Sequence, residues 1–114
     1  MHETMVAHSL LVMISDETAK QTAKPVAAKI SCGMLNAIND EVLCFAFDAI
    51  AKGTRCEGMK LQIEHKQMQG QCGNCNQIFQ IELSNPRCPK CRSEQFNLLP
   101  DAPLMLEQIE FQTE

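Results

Sequence analysis

The chain has 114 residues, of which 45% are hydrophobic and 21% charged, with seven cysteines and a formal net charge of -4. That length supports one compact domain, or a small domain plus a module too small to fold alone. The acidic balance gives no general electrostatic footing on a nucleic-acid backbone, and no apolar run approaches the ~20 residues needed to cross a bilayer.

An acidic residue, Glu3, lies among the first residues, and no basic leader or small-residue cleavage site follows, so no secretory signal is expected. An odd number of cysteines, four of them in a pattern that needs reduced thiols, points to a reducing cytoplasm. Met1-His2-Glu3 places an α-amine, an imidazole, deprotonatable amides and a carboxylate within one turn of chain. Nitrogen-rich donors of this kind suit square-planar Ni²⁺ or Cu²⁺, although three polar residues at a chain end are more often a frayed start.

Residues 4–22 read as a helix, with Val6, Ala7, Leu10, Leu11, Ile14 and Thr18 on one stripe. Pro25 is expected to end it, with Lys20 and Lys24 at its negative pole and His8 on the solvated side. Residues 26–34 alternate as a half-buried strand, with Val26, Ala28, Ile30 and Cys32 inward, Lys29 and Ser31 outward, and a bend at Gly33. A second helix opens at Asn39-Asp40-Glu41, where a cap and two carboxylates match the positive end of the helix dipole. Its stripe is Val42, Leu43, Ala46, Phe47 and Ile50; Gly53 is placed to stop it, and Phe45 reads as the flank of the core. Met59, Leu61, Ile63 and His65 then alternate with Lys60, Gln62 and Glu64 in a second strand.

The next stretch carries the strongest signal. Cys72-Gly73-Asn74-Cys75 and Cys88-Pro89-Lys90-Cys91 are two Cys-x-x-Cys knuckles whose spacing brings four thiolates to the corners of a tetrahedron. Gly73 and Pro89 suit tight turns, one by permitting positive φ and one by fixing φ. Ile78, Phe79, Ile81 and Leu83 between the knuckles form an apolar run of strand length. The reading is a zinc ribbon whose metal, held by Cys72, Cys75, Cys88 and Cys91, has a closed shell and holds structure. A pair of disulfides or a redox dithiol is the alternative, and the paired spacing favours zinc.

After an Asp101-Ala102-Pro103 linker, Leu104 to Phe111 supplies a last strand with Met105, Ile109 and Phe111 on one face. The expected class is α+β: a small three-stranded sheet covered by two helices, with an inserted zinc-ribbon module. The domains are then 1–67 with 101–114, and 68–100, the strands on either side of the ribbon being joined as in a hairpin whose turn is replaced by the ribbon. Cys32, Cys44 and Cys56 fall on different elements and read as small apolar side chains, and His65 as a satisfied inward histidine. No Gly-rich phosphate loop, His-Glu-x-x-His helix or nucleophile elbow is present, and the chain does not read as an enzyme. A ribbon that binds nucleic acid or a protein without any nickel function is the other reading. Against nucleic acid, residues 68–100 hold only Arg87, Lys90 and Arg92 facing Glu82 and Glu94.

Met1-His2-Glu3 opening a helix, Asn39-Asp40-Glu41-x-Leu43-x-Phe45-Ala46-Phe47 opening another, and a four-cysteine ribbon before a last strand together resemble the HypA/HybF family of hydrogenase nickel-incorporation proteins. The resemblance covers essentially the whole chain. It implies a cytoplasmic nickel metallochaperone that works with a HypB-type GTPase to load the [NiFe]-hydrogenase large subunit precursor, with some members also serving urease. It further implies Ni(II) as transferred cargo at Met1 and His2, with Glu3 and Asp40 near it, and Zn(II) as the structural metal of the ribbon. Some members carry histidines beside the zinc cysteines and this ribbon has none; Thr4 and Met5 also depart from the usual family residues. Neither departure removes a proposed donor.

Overall fold

Apolar residues at helical spacing produce α1, Glu3–Thr18, in a computed structural model that describes residues 2–36 and 38–112. Val6, Ala7, Leu10, Ile14 and Thr18 are buried and Leu11 is half-buried, as the stripe requires, while His8 is exposed. The helix stops well before residue 22. The reason lies elsewhere in the chain: the guanidinium of Arg55 donates to the carbonyl oxygens of Thr18, Gln21 and Ala23 at 2.8, 3.0 and 2.8 Å. Those carbonyls are thereby satisfied in a turn, and Lys20 only pairs with Glu17 at 3.4 Å on the surface.

Strand β1, Pro25–Gly33, is the central strand of the first sheet, paired on one side in parallel with β2, Lys60–Lys66, and on the other antiparallel with β6, Met105–Phe111. The strands β2 and β6 therefore flank β1 and are not hairpin partners, contrary to the expectation from chain order. A parallel β1–β2 pair needs a crossover, and the helix α2, Asp40–Ala51, supplies it. Register sets Ala28 beside Leu61 and Ile109, Ile30 beside Ile63 and Leu106, and Cys32 beside His65.

These rows face the helices, and with Val6, Leu10, Ile14, Leu43, Phe47 and Met59 they make one core. Two inward assignments change: Val26 is 38% and Met105 46% exposed, and Leu106 packs against the core in Met105's place. Register shifts between Pro25 and Ala27, and between Lys29 and Ile30, break the two-residue alternation that periodicity assumes. On the opposite face Ser31 is fully buried because Glu107 lies over it, its Oγ donating to Glu107 Oε1 at 2.6 Å. That bond, with Lys66 Nζ at 3.3 Å, holds the Glu107 carboxyl below its usual range.

The Asn39 side chain caps α2 by accepting from the Val42 N–H at 3.0 Å. Leu43, Phe47 and Ala51 are buried, whereas Val42 is 49% and Phe45 77% exposed. Phe45 is thus a surface aromatic and not a core flank: α1 and the sheet occupy only the side of α2 that carries Leu43 and Phe47. Gly53, at φ 79°, follows the helix end as expected.

Cys32 and Cys56 belong to the core, while Cys44 is half-buried. The second sheet, ordered β4-β3-β5, comprises β3 Gln69–Cys72, β4 Ile78–Gln80 and β5 Phe96–Leu98. It has its own small core, where Phe79 and Phe96 meet edge to face with centroids 5.4 Å apart beside Ile81 and Met68. Gly70 is needed there, because a Cβ would sit 2.8 Å from the Phe96 ring. Ile78 and Leu83 of the expected apolar run are exposed. No helix among the described residues is long and apolar enough to cross a membrane.

Replacing Arg55 by Ala removes donors from three carbonyls at once, and the expected cost is about 1–2 kcal/mol. Urea unfolding should show a lower midpoint at unchanged slope. An unchanged midpoint would mean that the turn after α1 holds itself.

Candidate metal centres

Each knuckle is built by the same local hydrogen bonds, and this repetition is what aims the sulfurs. The N–H of Asn76 donates to the Cys72 carbonyl at 3.1 Å and that of Arg92 to the Cys88 carbonyl at 2.8 Å. The N–H of Cys72 and of Cys88 donate in turn to the carbonyls of Gln77 and Ser93 at 2.9 and 3.0 Å. The residue after each second cysteine takes the left-handed conformation, with φ 62° at Asn76 and 64° at Arg92. Gly73, expected to provide the positive φ, does not. Asparagine tolerates that conformation readily; arginine is held there by the knuckle's own hydrogen bonds.

The four sulfurs converge. Cys72 Sγ lies 3.4 Å from Cys91 Sγ, Cys75 Sγ lies 3.6 Å from Cys88 Sγ, and all four fall within 4.8 Å of one another. A tetrahedral Zn²⁺ with Zn–S near 2.3 Å would hold its sulfurs about 3.8 Å apart, so the cage has the size zinc requires. Backbone N–H groups also point at sulfur, as those of Asn74 and Cys75 do toward Cys72 at 3.3 and 3.4 Å.

These contacts favour thiolate. The N–H of Cys75 lowers Cys72, despite some desolvation, and the N–H of Ser93 lowers Cys91. Cys88 is also lowered: burial opposes ionisation there, but the Cys91 and Lys90 N–H groups and the neighbouring sulfurs outweigh it. Cys75 is the exception. The Gln77 N–H favours its thiolate, yet desolvation and the three neighbouring sulfurs push it up to about 11. Four negative sulfurs in one cage repel, and a divalent cation at their centre would remove the repulsion and displace the protons that the sulfurs hold. The set fits Zn²⁺ and leaves no open coordination position.

The other sequence candidates are arranged differently. Met1 lies outside the described residues. His2 is exposed and extended at the start of α1, its carbonyl accepting from the Val6 N–H at 3.1 Å, and Glu3 occupies the first helical turn. Asp40 opens α2, with its Oδ1 2.7 Å from His65 Nε2. Among the described residues, the ligand atoms of His2, Glu3 and Asp40 do not converge as the four cysteines do.

His65 is satisfied, as expected, but it is exposed and not inward, and its partners are ones that single-element reasoning does not identify: Asp40 on one ring nitrogen and Cys32 Sγ, at 3.8 Å, on the other. The signal was present in phase. Cys32 follows Ile30 and His65 follows Ile63 at strand spacing, so parallel pairing of the two strands sets them side by side. Asp101, in the linker before β6, packs against Gly33, where any Cβ would collide with its carboxylate. Both of its carboxylate oxygens are buried without a hydrogen-bond partner among the described residues.

Helices on one face of a three-stranded sheet, a second small sheet and a closed four-thiol cage define an α+β metal-binding protein with a zinc-ribbon module. Residues 1–111 match the family described as "Hydrogenase/urease nickel incorporation, metallochaperone, hypA". The hydrogenase maturation factor HypA of Salmonella typhimurium is 30% identical over 112 residues, covering 96% of this chain and 95% of its own. That of Syntrophus aciditrophicus is 34% identical over 95 residues, 82% and 83% of the two chains. The solution structure of the Ni metallochaperone HypA from Helicobacter pylori superposes with a TM-score of 0.66 at 23% identity, covering 100% of both chains. Another HypA solution structure gives 0.71 at 22% identity, over 99% of this chain and 98% of that one. The chain belongs to the HypA family, whose members are nickel-incorporation metallochaperones of hydrogenase maturation and not enzymes.

Two outcomes are expected at the cysteine cage. Cys72→Ala or Cys91→Ala should lose bound zinc by elemental analysis and unfold β3 to β5, because metal binding supplies the module's folding energy; a folded ribbon with a full equivalent of zinc would contradict the site. Protons compete with zinc for the same thiolates, so apparent zinc affinity should fall as pH falls, and loading zinc into metal-free protein near neutrality should acidify a weakly buffered solution.

Proposed function

We propose that this chain captures Ni²⁺ at its N-terminus and passes it on for [NiFe]-hydrogenase maturation, while Zn²⁺ at Cys72, Cys75, Cys88 and Cys91 holds the ribbon folded. The observation that carries the reading is the family match across residues 1–111, which begins at the Met1-His2-Glu3 donor set itself. Nickel is cargo here. A carrier must hold it well enough to collect and loosely enough to surrender, and a donor set at an exposed chain start meets both demands better than a buried cage. The Met1 amine and His2 imidazole supply the nitrogen donors that Ni²⁺ prefers, and Glu3 and Asp40 add secondary oxygen donors.

The two metal demands are divided between two units, residues 1–67 with 101–114 for nickel and residues 68–100 for zinc. The recipients are a HypB-type GTPase and the hydrogenase large subunit precursor, met in the cytoplasm. Nucleic acid does not fit the ribbon's charge: Arg87 is paired with Glu94 at 2.7 Å, which leaves Lys90 and Arg92 as its basic side chains.

Calorimetric titration of Ni²⁺ into untagged protein tests the capture site. His2→Ala, and separately an N-terminal extension that removes the free amine, should each weaken binding by about a hundredfold, and Glu3→Ala or Asp40→Ala by about tenfold. Zinc content should stay constant throughout. Unchanged affinity and absorption spectrum in the extended protein would refute the site.

A further inference from the structure

Asp40 does not stand alone at the start of α2. His65 Nε2 lies 2.7 Å from its Oδ1, and His65 Nδ1 lies 3.8 Å from Cys32 Sγ. Parallel pairing of β1 and β2 makes Cys32 and His65 register partners near the ends of both strands, where α2 begins its return over the sheet. Cys32 is fully buried; burial pushes its thiol up, and the Asp40 and Asp101 carboxylates push in the same direction. Its thiol can donate to Nδ1, and in that tautomer Nε2–H donates to Asp40 Oδ1.

The order thiol, imidazole, carboxylate engages one oxygen of Asp40, and Oδ2 has no hydrogen bond among the described residues. The Asp40 and His65 side chains remain 48% and 32% exposed, so a cation can reach that oxygen. Both ring nitrogens are occupied in this arrangement, one of them by a buried sulfur, which suits His65 to bracing and not to ligation.

We infer that His65, braced by Cys32, is a positioning residue of the nickel-capture site: it fixes the Asp40 carboxylate with Oδ2 presented to the cation. The inference rests on the N-terminal capture reading above. Its logic is general, since a ligating carboxylate is ordinarily held by an outer hydrogen bond, and losing that bond typically costs ten- to hundredfold in metal affinity.

The test is Ni²⁺ titration of the zinc-loaded full chain carrying His65→Leu, Asp40→Ala, both together, and His2→Ala as a control, with melting temperature and zinc content measured for each. His65→Leu should weaken nickel about tenfold, and the double variant should lose no more than Asp40→Ala alone, because His65 acts only through Asp40. His65→Gln, whose amide can still donate, should recover part of the affinity. A merely structural histidine would instead lower the melting temperature and give losses that multiply in the double variant. Wild-type affinity in His65→Leu, multiplied losses, or tighter nickel binding would each overturn the inference. His2→Ala separates the two levels: if it too leaves binding unchanged, the capture reading fails, and if it weakens binding while His65→Leu does not, only the role of His65 fails.

Discussion

The hydrogen bonding of β1 on both sides is the constraint on which the first module depends. A strand with two neighbours has one face for a core and one for solvent, and the face bearing Ala28, Ile30 and Cys32 is closed by α1 and α2. Because β2 joins in parallel, α2 must cross back over the sheet, which delivers its N-terminus to the end of β1. Asp40, His65 and Cys32 meet there as a consequence of topology. The same end receives the linker from the ribbon, where the Gly33 N–H donates to the Ala102 carbonyl at 2.9 Å.

The ribbon obeys a different constraint. Its apolar core amounts to Phe79, Ile81 and the two buried cysteines, with Met68 and Phe96 beside them, too little to order more than thirty residues without help. The knuckles compensate through electrostatics. Backbone N–H groups aimed at sulfur lower three thiols, while desolvation and the three neighbouring sulfurs raise Cys75, so a cation in the cage would relieve the crowding. A metal in this cage would then make binding and folding one event.

Under the proposed function, the closed thiolate cage and the nitrogen-rich terminus would be opposite solutions to holding a metal. A metal in the cage would exchange slowly, because every position would be filled and the ligands are locked by backbone hydrogen bonds. The proposed nickel site would keep its donors accessible, with His2 exposed at the start of α1. Separating the two would let the proposed carrier release one metal without unfolding. Phe45, exposed on α2 close in sequence to Asp40, shows that this end of the molecule also presents apolar surface to solvent.

How much was legible follows from the range of each interaction. Local signals were sufficient for both helices, since stripe spacing and the Asn39 cap act within a few residues, and for the cage, since two Cys-x-x-Cys turns carry their own geometry. The α+β class and the family resemblance were likewise readable along the chain. What failed depended on distant partners. Arg55 shortened α1 from more than thirty residues away, register shifts in β1–β6 pairing moved Leu106 inward and Met105 outward, and the packing of α1 and the sheet against Leu43 and Phe47 left Phe45 outside. Strand order was beyond the sequence for the same reason: β2 and β6 flank the ribbon in the chain, but hydrogen bonding set β1 between them. The amino-acid sequence by itself determined which residues could ligate metal and which helices would form, because those follow from chemistry and spacing within a few residues. Only the tertiary structure decided that Cys32, His65 and Asp40 stand in line, because parallel pairing and the return of α2 bring together side chains that no local period connects.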